Sequence, residues 1–340
     1  MITPLPIEII GGGVAGLATG IALRAYGIPV TLYEAGDYPR HRVCGEFISG
    51  LGDSTSKALG IGACIADATP HRSVTYYLRQ KPLRPFAMPA TAWGISRHTL
   101  DTRMARAFVA AGGMLRTQER VSNDDAPEGR VFATGRSRMG RYWVGLKMHV
   151  YNLSLVNDFE VHLGERAYVG LSRTENGAVN VCGIFHSREV DARGPDLILD
   201  YLRACGVPDV AERILAADPD PESFCVTAAS LGDHRFAPPD RIRIGDACAT
   251  IPPFTGNGLA MALQGAELAI GPLTDYAHAS SSWAEATRLI ATRQRRRFRR
   301  KLMLASLLHP FFLEKRRQSL LAGLVSRGLV PFRLFYAALH

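Results

Sequence analysis

The sequence has no run of about 20 apolar residues, the length a helix needs to cross a bilayer. The apolar stretches near its C-terminus are broken by His309-Pro310 and by Lys315-Arg316-Arg317, so they are too short to span. Its six cysteines, Cys44, Cys64, Cys182, Cys205, Cys225 and Cys248, form no CxxC pair and no metal-ligand spacing with histidine. That pattern argues against a disulfide framework and a zinc module, and it predicts reduced thiols and no bound metal. The first residues carry neither a basic n-region nor an apolar h-region ahead of a glycine loop, which predicts a cytoplasmic protein without a secretory leader. There is no internal repeat and no low-complexity tract. With 47% hydrophobic and 21% charged residues the composition is globular rather than disordered.

Acidic residues are scarce in one place. From Arg288 to His340 there are thirteen Lys/Arg against the single acid Glu314, a segment of +12 in a chain of net +9, so the remainder is −3. The basicity is therefore local. Three readings are open for this segment: a helical cap packed over the substrate region, an interfacial helix on an anionic membrane surface, and a nucleic-acid contact. The last has no recognised nucleic-acid module beside it. The second would make the protein peripheral at a membrane.

The residues present open with a βαβ pattern. Leu5 to Ile10 is an apolar, β-branched run ending in glycines. Leu17, Ile21 and Ala25 fall at helical spacing within Val14 to Tyr26, and Ile28 to Glu34 reads as a second strand. A further helix is predicted from Arg97 to Ala111, with Leu100, Met104 and Phe108 on one stripe, and a short buried strand at Val131-Phe132-Ala133. From Tyr142 the period changes to two: Tyr142, Val144, Leu146, Met148 and Val150 alternate with Trp143, Gly145, Lys147 and His149. Phe159–Leu163, Ala167–Leu171 and Val179–Phe185 behave similarly, which predicts a mostly antiparallel sheet inserted between segments of a parallel one. Short helices follow at Asp196–Cys205 and Asp209–Ala217, then a strand at Arg241–Ile244 and an apolar helix opening at Asn257-Gly258.

Gly11-Gly12-Gly13-Val14-Ala15-Gly16 fits G-x-G-x-x-G directly after a strand and at the start of a helix. There the glycines serve a tight turn, close backbone approach to a pyrophosphate, and close helix–strand packing, while the helix N-terminus offers free amides. Glu34, followed by Ala35, ends the second strand where an acid accepts hydrogen bonds from ribose hydroxyls. A negative charge there argues against a 2′-phosphate at this site and leaves FAD or NAD.

Far downstream stand Arg243-Ile244-Gly245-Asp246-Ala247 and Pro253-Phe254-Thr255-Gly256-Asn257-Gly258 before a helix. In these residues the chain, up to about Pro272, resembles the FAD-dependent aromatic hydroxylases and their relatives, the geranylgeranyl reductases and flavin-dependent halogenases. The resemblance implies a Rossmann-like FAD-binding domain of the glutathione-reductase type and FAD as cofactor, with NAD(P)H as electron donor. It implies that Gly245-Asp246 binds the ribityl or pyrophosphate region and that the P-x-x-G-x-G turn brings amides to the flavin pyrimidine edge. It also assigns cofactor contacts to Arg97, to Gly135 near the adenosine half, and to Arg42, Cys44 and Gly45 within Arg42-Val43-Cys44-Gly45-Glu46. The expected architecture is α/β and discontinuous. An FAD-binding domain takes in 1–70, 97–138 and 226–275, a substrate domain 71–96 and 139–225, and a basic helical region 276–340.

Three chemistries share that scaffold. The strand Ala167 to Arg173 keeps Tyr168 but lacks the tryptophans and proline of the reductase and halogenase signatures. Hydroxylation therefore leads: NAD(P)H reduces the flavin, O₂ is captured at its C4a position, and electrophilic oxygen passes to a lipophilic aromatic, quinone or polyketide-type substrate. Double-bond reduction of an isoprenoid lipid is the alternative, favoured by Cys44-Gly45-Glu46, and a non-catalytic nucleotide-binding or membrane-surface protein is the rival from another class. Candidates for a catalytic group are His149, Lys147, Tyr168 and Cys44, each of which is also an ordinary sheet or packing residue type.

Overall fold

The computed structural model describes residues 3–136, 142–231 and 235–340. The chain opens with β1 (Ile7–Ile10), α1 (Val14–Ala25) and β2 (Val30–Tyr33). There follow β3 (Phe47–Ile48), α2 (Asp53–Leu59), β4 (Thr69–Leu78), β5 (Lys81–Pro82), β6 (Phe86–Gly94), α3 (Arg97–Ala110), β7 (Met114–Arg116) and β8 (Arg130–Phe132). A parallel sheet of order β7-β2-β1-β8 results, with Ile7 opposite Val30 and Glu8 opposite Arg130.

The predicted strand at Arg241–Ile244 is reduced to a parallel bridge between Arg243 and Phe132, fixed by the Phe132 amide on Ile242 and the Ile244 amide on Phe132. Gly245, at φ 61°, turns the chain away at once and leaves no room for a longer ladder. The segment still takes the place of the next strand, so the loop at Gly245-Asp246 leaves the same sheet edge as the glycine loop.

Helix α1 packs through Leu17 and Ile21 against Leu100, Met104 and Phe108 of α3 and against Leu263, Ala266 and Ile270 of α6 (Gly258–Ala277), all in one core. Each such leucine or isoleucine contributes about 2 kcal/mol by leaving water. Gly20 is what lets Phe108 close on α1, since a Cβ there would lie 2.8 Å from the ring.

The second sheet has the order β13-β9-β12-β11-β10-β4-β6-β3, where β9 is Trp143–Tyr151, β10 Phe159–Gly164, β11 Ala167–Arg173, β12 Val179–His186 and β13 Asp218–Ala229. Its pairings are antiparallel apart from β10 with β4. One face, carrying Leu146, Met148, Val169, Leu171, Val181 and Phe185, is covered by α4 (Leu197–Ala204) and α5 (Pro208–Leu215). The other faces the domain built on the parallel sheet.

The basic segment folds as α7 (Trp283–Leu308), a single turn α8 (Pro310–Leu313), α9 (Lys315–Ser326) and α10 (Phe332–Leu339). Ser282 caps α7 by accepting from the Glu285 amide. Phe312, Leu321 and Phe332 lie on the second sheet beside Val74, Leu163 and Tyr168, so this part of the tail packs against that sheet. No described helix is long and apolar enough to cross a membrane.

Candidate active site

The glycine loop has the geometry its sequence dictates. Gly11 adopts φ 109°, and a Cβ there would lie 2.4 Å from the Ala133 carbonyl oxygen, while one on Gly16 would lie 2.0 Å from the Gly11 carbonyl oxygen. Gly13 is the N-cap of α1 without any side-chain cap, and its open side has only Arg97 Nη2 nearby, 3.9 Å from the Cβ position. Uncapped first-turn amides and the positive end of the helix dipole are suited to an anion. The Val14 and Ala15 side chains, by contrast, are buried packing residues.

Around that anion position stand three arginines. Arg97 forms a two-point ion pair with Asp101 (2.7 and 2.6 Å) at the start of α3. Burial works against its charge, but Asp101 holds the guanidinium above its ordinary range. Arg40 reaches Glu34 at 2.5 Å, and Arg42 lies 3.6 Å from Glu34 and 3.4 Å from Asp101. The buried Nε and Nη2 of Arg42 and Nε of Arg40 make no hydrogen bond. Three cations against two carboxylates leave the loop electropositive, with guanidinium donors to spare.

Glu34 accepts the amides of Gly12 (2.8 Å) and Gly36 (2.9 Å). Burial alone would raise its pKa; those amides with Arg42 and Arg40 hold it below the ordinary range, so it is a carboxylate. Tyr38 donates its hydroxyl to the Gly12 carbonyl and covers the loop from the same side. Ala35 is exposed beside it.

The distant downstream segment meets the glycine loop directly. A Cβ on Gly245 would lie 2.9 Å from that of Ala15, and Asp246 pairs with Arg136 at 3.2 Å across the groove. Gly256 is left-handed at φ 65°, and Asn257 and Gly258 open α6 without a side-chain cap. Pro253 begins the turn that carries Gly256. Among the described residues, added Cβ atoms on Gly45, Gly135 and Gly258 would meet nothing within 4 Å, so open space lies beside each of them.

Arg42 to Glu46 lies flat on the second sheet. Val43 fills the space above Gly145, Asn180 donates to the Cys44 carbonyl (3.0 Å), and Ser172 donates to the Gly45 carbonyl (3.0 Å). Glu46 is the anchor. It is fully buried, with His149 Nε2 at 2.6 Å, Lys147 Nζ at 3.4 Å and the Arg97 amide at 3.0 Å. Burial alone would raise its carboxyl; the His149 hydrogen bond and the Lys147 charge outweigh that and hold it low. Lys147 also contacts His41 Nδ1 at 3.0 Å, and His41 stacks on His98. His41, Glu46 and His149 could each offer a ligand atom to a metal, but the Lys147 ammonium already supplies the cation to this group.

The four catalytic candidates therefore separate. Lys147 and His149 are tied to Glu46 beneath the loop. Cys44 lies beside Arg97, yet burial pushes its thiol up, so it is protonated at neutral pH. Tyr168 stands apart, under the tail, where its buried phenol is raised by desolvation; it reaches the Phe254 backbone and lies 3.5 Å from His309 Nε2. Sequence reasoning did not single out Arg40, Asp101, Arg136 or His309. The pairing of Arg97 with an acid four residues on was a readable signal; for His309 only its place beside a helix-breaking proline was.

The model of the NAD(P)-binding Rossmann-like domain matches residues 9–43. No curated protein matches the chain. Solved structures share its fold over nearly the whole length. HpxO of Klebsiella pneumoniae, solved with FAD and uric acid, has a TM-score of 0.76 at 16% identity, covering 98% of this chain and 97% of that one. PqsL of Pseudomonas aeruginosa, solved with 2-aminobenzoylacetate, has a TM-score of 0.71 at 15% identity, covering 94% and 98%. A geranylgeranyl bacteriochlorophyll reductase-like protein of Thermoplasma acidophilum has a TM-score of 0.70 at 16% identity, covering 94% and 91%. The α/β architecture expected from the sequence is thus the architecture of these proteins.

Proposed function

We propose that the chain is an FAD-dependent oxidoreductase, a monooxygenase that takes electrons from NAD(P)H and oxygenates a lipophilic aromatic, quinone or polyketide-type compound. The observation that carries this reading is the convergence of two remote segments on one groove, with Gly245 against Ala15 and Asp246 against Arg136. The residues present fit the cofactor. Guanidinium nitrogens of Arg40 and Arg42 that make no hydrogen bond, those of Arg42 lying 3.4 to 3.6 Å from Asp101 and Glu34, stand beside an uncapped helix and suit a diphosphate. Open space beside Gly45, Gly135 and Gly258 leaves room for a flat, extended molecule. HpxO, of the same fold, was crystallised with FAD.

In this reading Gly11, Gly13 and Gly16 with Arg42 and Arg97 would hold the diphosphate, Glu34 the ribose, Asp246 the ribityl chain, and the Gly258 amide at the N-terminus of α6 the pyrimidine edge, the Gly256 and Asn257 amides being taken by the Pro253 carbonyl and the Thr255 hydroxyl. Bound FAD supplies two-electron redox chemistry and reaction with O₂. The chain's own part is to place that ring against the sheet, to favour negative charge at the N-terminus of α6, and to exclude water with the aromatic cap of Tyr168, Phe254 and Phe312. Deprotonation of a phenolic substrate falls to a group outside the Glu46 cluster, since Lys147 and His149 are occupied by Glu46; His309, buried beside Phe254 and Tyr168, is the candidate.

The test is a purified protein reconstituted with FAD. Retention of yellow flavin after gel filtration, bleaching by NADH or NADPH under nitrogen and recovery in air are expected, and Asp246→Ala is expected to weaken FAD about tenfold or more. A wild-type protein that refuses FAD overturns the reading. A second reading, reduction of an isoprenoid double bond, draws on the Arg42 to Glu46 loop and on the reductase-like neighbour of the same fold. Turnover without oxygen would favour it, and labelled O₂ in the product would favour oxygenation.

A further inference from the structure

Between the end of the second sheet and the tail lies a cavity of about 920 Å³, within the size range of small-molecule sites. Its walls are apolar: Trp143, Leu231, Phe236, Leu302 and Leu313. Its rim is cationic. Arg166 from the β10–β11 turn, Arg299 of α7, and Lys315 and Arg316 of α9 meet there, and among the described residues the acids on the lining are Glu165 and Glu314. Glu314 is already paired with Arg317 at 2.8 Å. Among the described residues, the side chains of Arg166, Arg299, Lys315 and Arg316 have no ion-pair partner. The N-terminus of α9 opens at the same rim without a side-chain cap and adds partial positive charge.

Gathering four such side chains from three separate elements costs electrostatic repulsion, which an anion at the rim would relieve. Leu302 and His309 are its buried lining residues, and the His309 ring stacks on Phe254 with centroids 5.6 Å apart. Phe254 belongs to the turn that leads into α6, so the buried side of the cavity adjoins that turn.

We propose that this cavity binds a carboxylic acid with an alkyl or aryl chain, its carboxylate at the Arg166, Arg299, Lys315 and Arg316 rim and its chain along Trp143, Leu302 and Leu313 toward His309. As a statement about substrate class it rests on the flavin-enzyme reading, and it replaces a purely apolar substrate with an amphiphilic acid. As a statement about binding it stands on the cavity alone.

The experiment measures decanoate and decanol binding by calorimetry and by the fluorescence of Trp143, with FAD retention recorded on the same samples. Decanoate is expected to bind at least about tenfold more tightly than decanol. Arg166→Ala combined with Arg316→Ala, both exposed positions, should weaken decanoate about tenfold and leave decanol unchanged. Met303→Trp, at an exposed residue of the cavity wall, should weaken both ligands. Equal affinity for the two ligands, or decanoate binding indifferent to the arginine variant, overturns the proposal. So does a protein that ignores free decanoate but pellets with phosphatidylglycerol vesicles through the same arginines, since the rim would then be a lipid surface. Retained FAD with no decanoate binding sinks this inference and leaves the flavin reading intact. Decanoate binding without FAD retention supports the acid site and sinks the flavin reading.

Discussion

The two faces of the second sheet are made by alternate residues of the same strands, and they differ in kind. Toward α4 and α5, strands β9, β11 and β12 present Leu146, Met148, Val169, Leu171, Val181 and Phe185, an aliphatic and aromatic core. Toward the groove the same strands present Lys147, His149, Tyr168, Ser172, Asn180 and Cys182, and most of these are as deeply buried. Burying a charge is costly unless it is paired, and a buried ion pair stabilises less than hydrophobic residues of the same shape. The groove face thus forgoes stability, and what it gains is a fixed position for the loop from Arg42 to Glu46. The helix-covered face holds the sheet together, and the other holds the site.

The largest expected effect separates these roles. Glu46→Ala leaves Lys147 and His149 buried without their anion and should cost about 4 kcal/mol in urea unfolding. Glu46→Gln combined with Lys147→Met should recover more than half of that loss while FAD retention stays impaired. Full recovery of FAD binding in the double variant would break the distinction between the faces.

On the opposite face Leu171→Ala should cost about 3 kcal/mol by opening a cavity, with FAD retention per folded molecule unchanged. A flavin affinity that falls in proportion to stability would show that the two faces are not independent.

Acid offers a smaller, signed test. Burial lowers the pKa of His71, at the groove side beside Phe47 and Phe159, to about 4. Its Nε2 accepts the Arg173 amide at 3.1 Å, so with Nδ1 directed at the Thr69 carbonyl the ring is held neutral. A folded pKa below the unfolded value of about 6.5 gives stability that is full above pH 6.5 and is lost as pH falls toward 4. At pH 5 the loss from this ring should be about 2 kcal/mol, and His71→Gln should remove it. Glu160, on the helix-covered face, is opposed by burial but lowered to about 2 by His162, Arg213 and the Val156 amide. Its stabilising share should persist until pH falls below about 4.5. Unfolding midpoints at pH 7, 5 and 4 in wild type and His71→Gln check the order. Equal slopes in both proteins between pH 7 and 5 would remove His71 from the account.

Much of this was legible in the chain order. The βαβ opening, the period-two strands and the short helices at Leu197–Ala204 and Pro208–Leu215 follow from local periodicity. Gly11 and Gly16 announced a close turn because no other residue fits there. The sequence also placed Gly245-Asp246 at the groove, through motif resemblance rather than spacing. The roles of Lys147 and His149 were not legible. Alternation put both on one face, but whether that face offers an open cavity or a buried glutamate depends on a residue 103 positions from His149. Likewise nothing in the sequence showed that aromatic residues of the basic tail pack beside Val74, Leu163 and Tyr168.

By itself the sequence determined the βαβ opening and the period-two strands between Trp143 and His186, though not the strands at Thr69–Leu78 and Phe86–Gly94; it also determined where the glycine loop must be bare and that the excess positive charge is confined to the last fifty or so residues. These are local properties, set by steric limits on φ and ψ and by the repeat of apolar side chains. Only the tertiary structure decided which charges meet: Glu46 with Lys147 and His149, Asp246 with Arg136, and the arginines of a turn and two helices around one cavity. Those pairings depend on how sheets and helices are stacked, and stacking is fixed by long-range packing that no local pattern encodes.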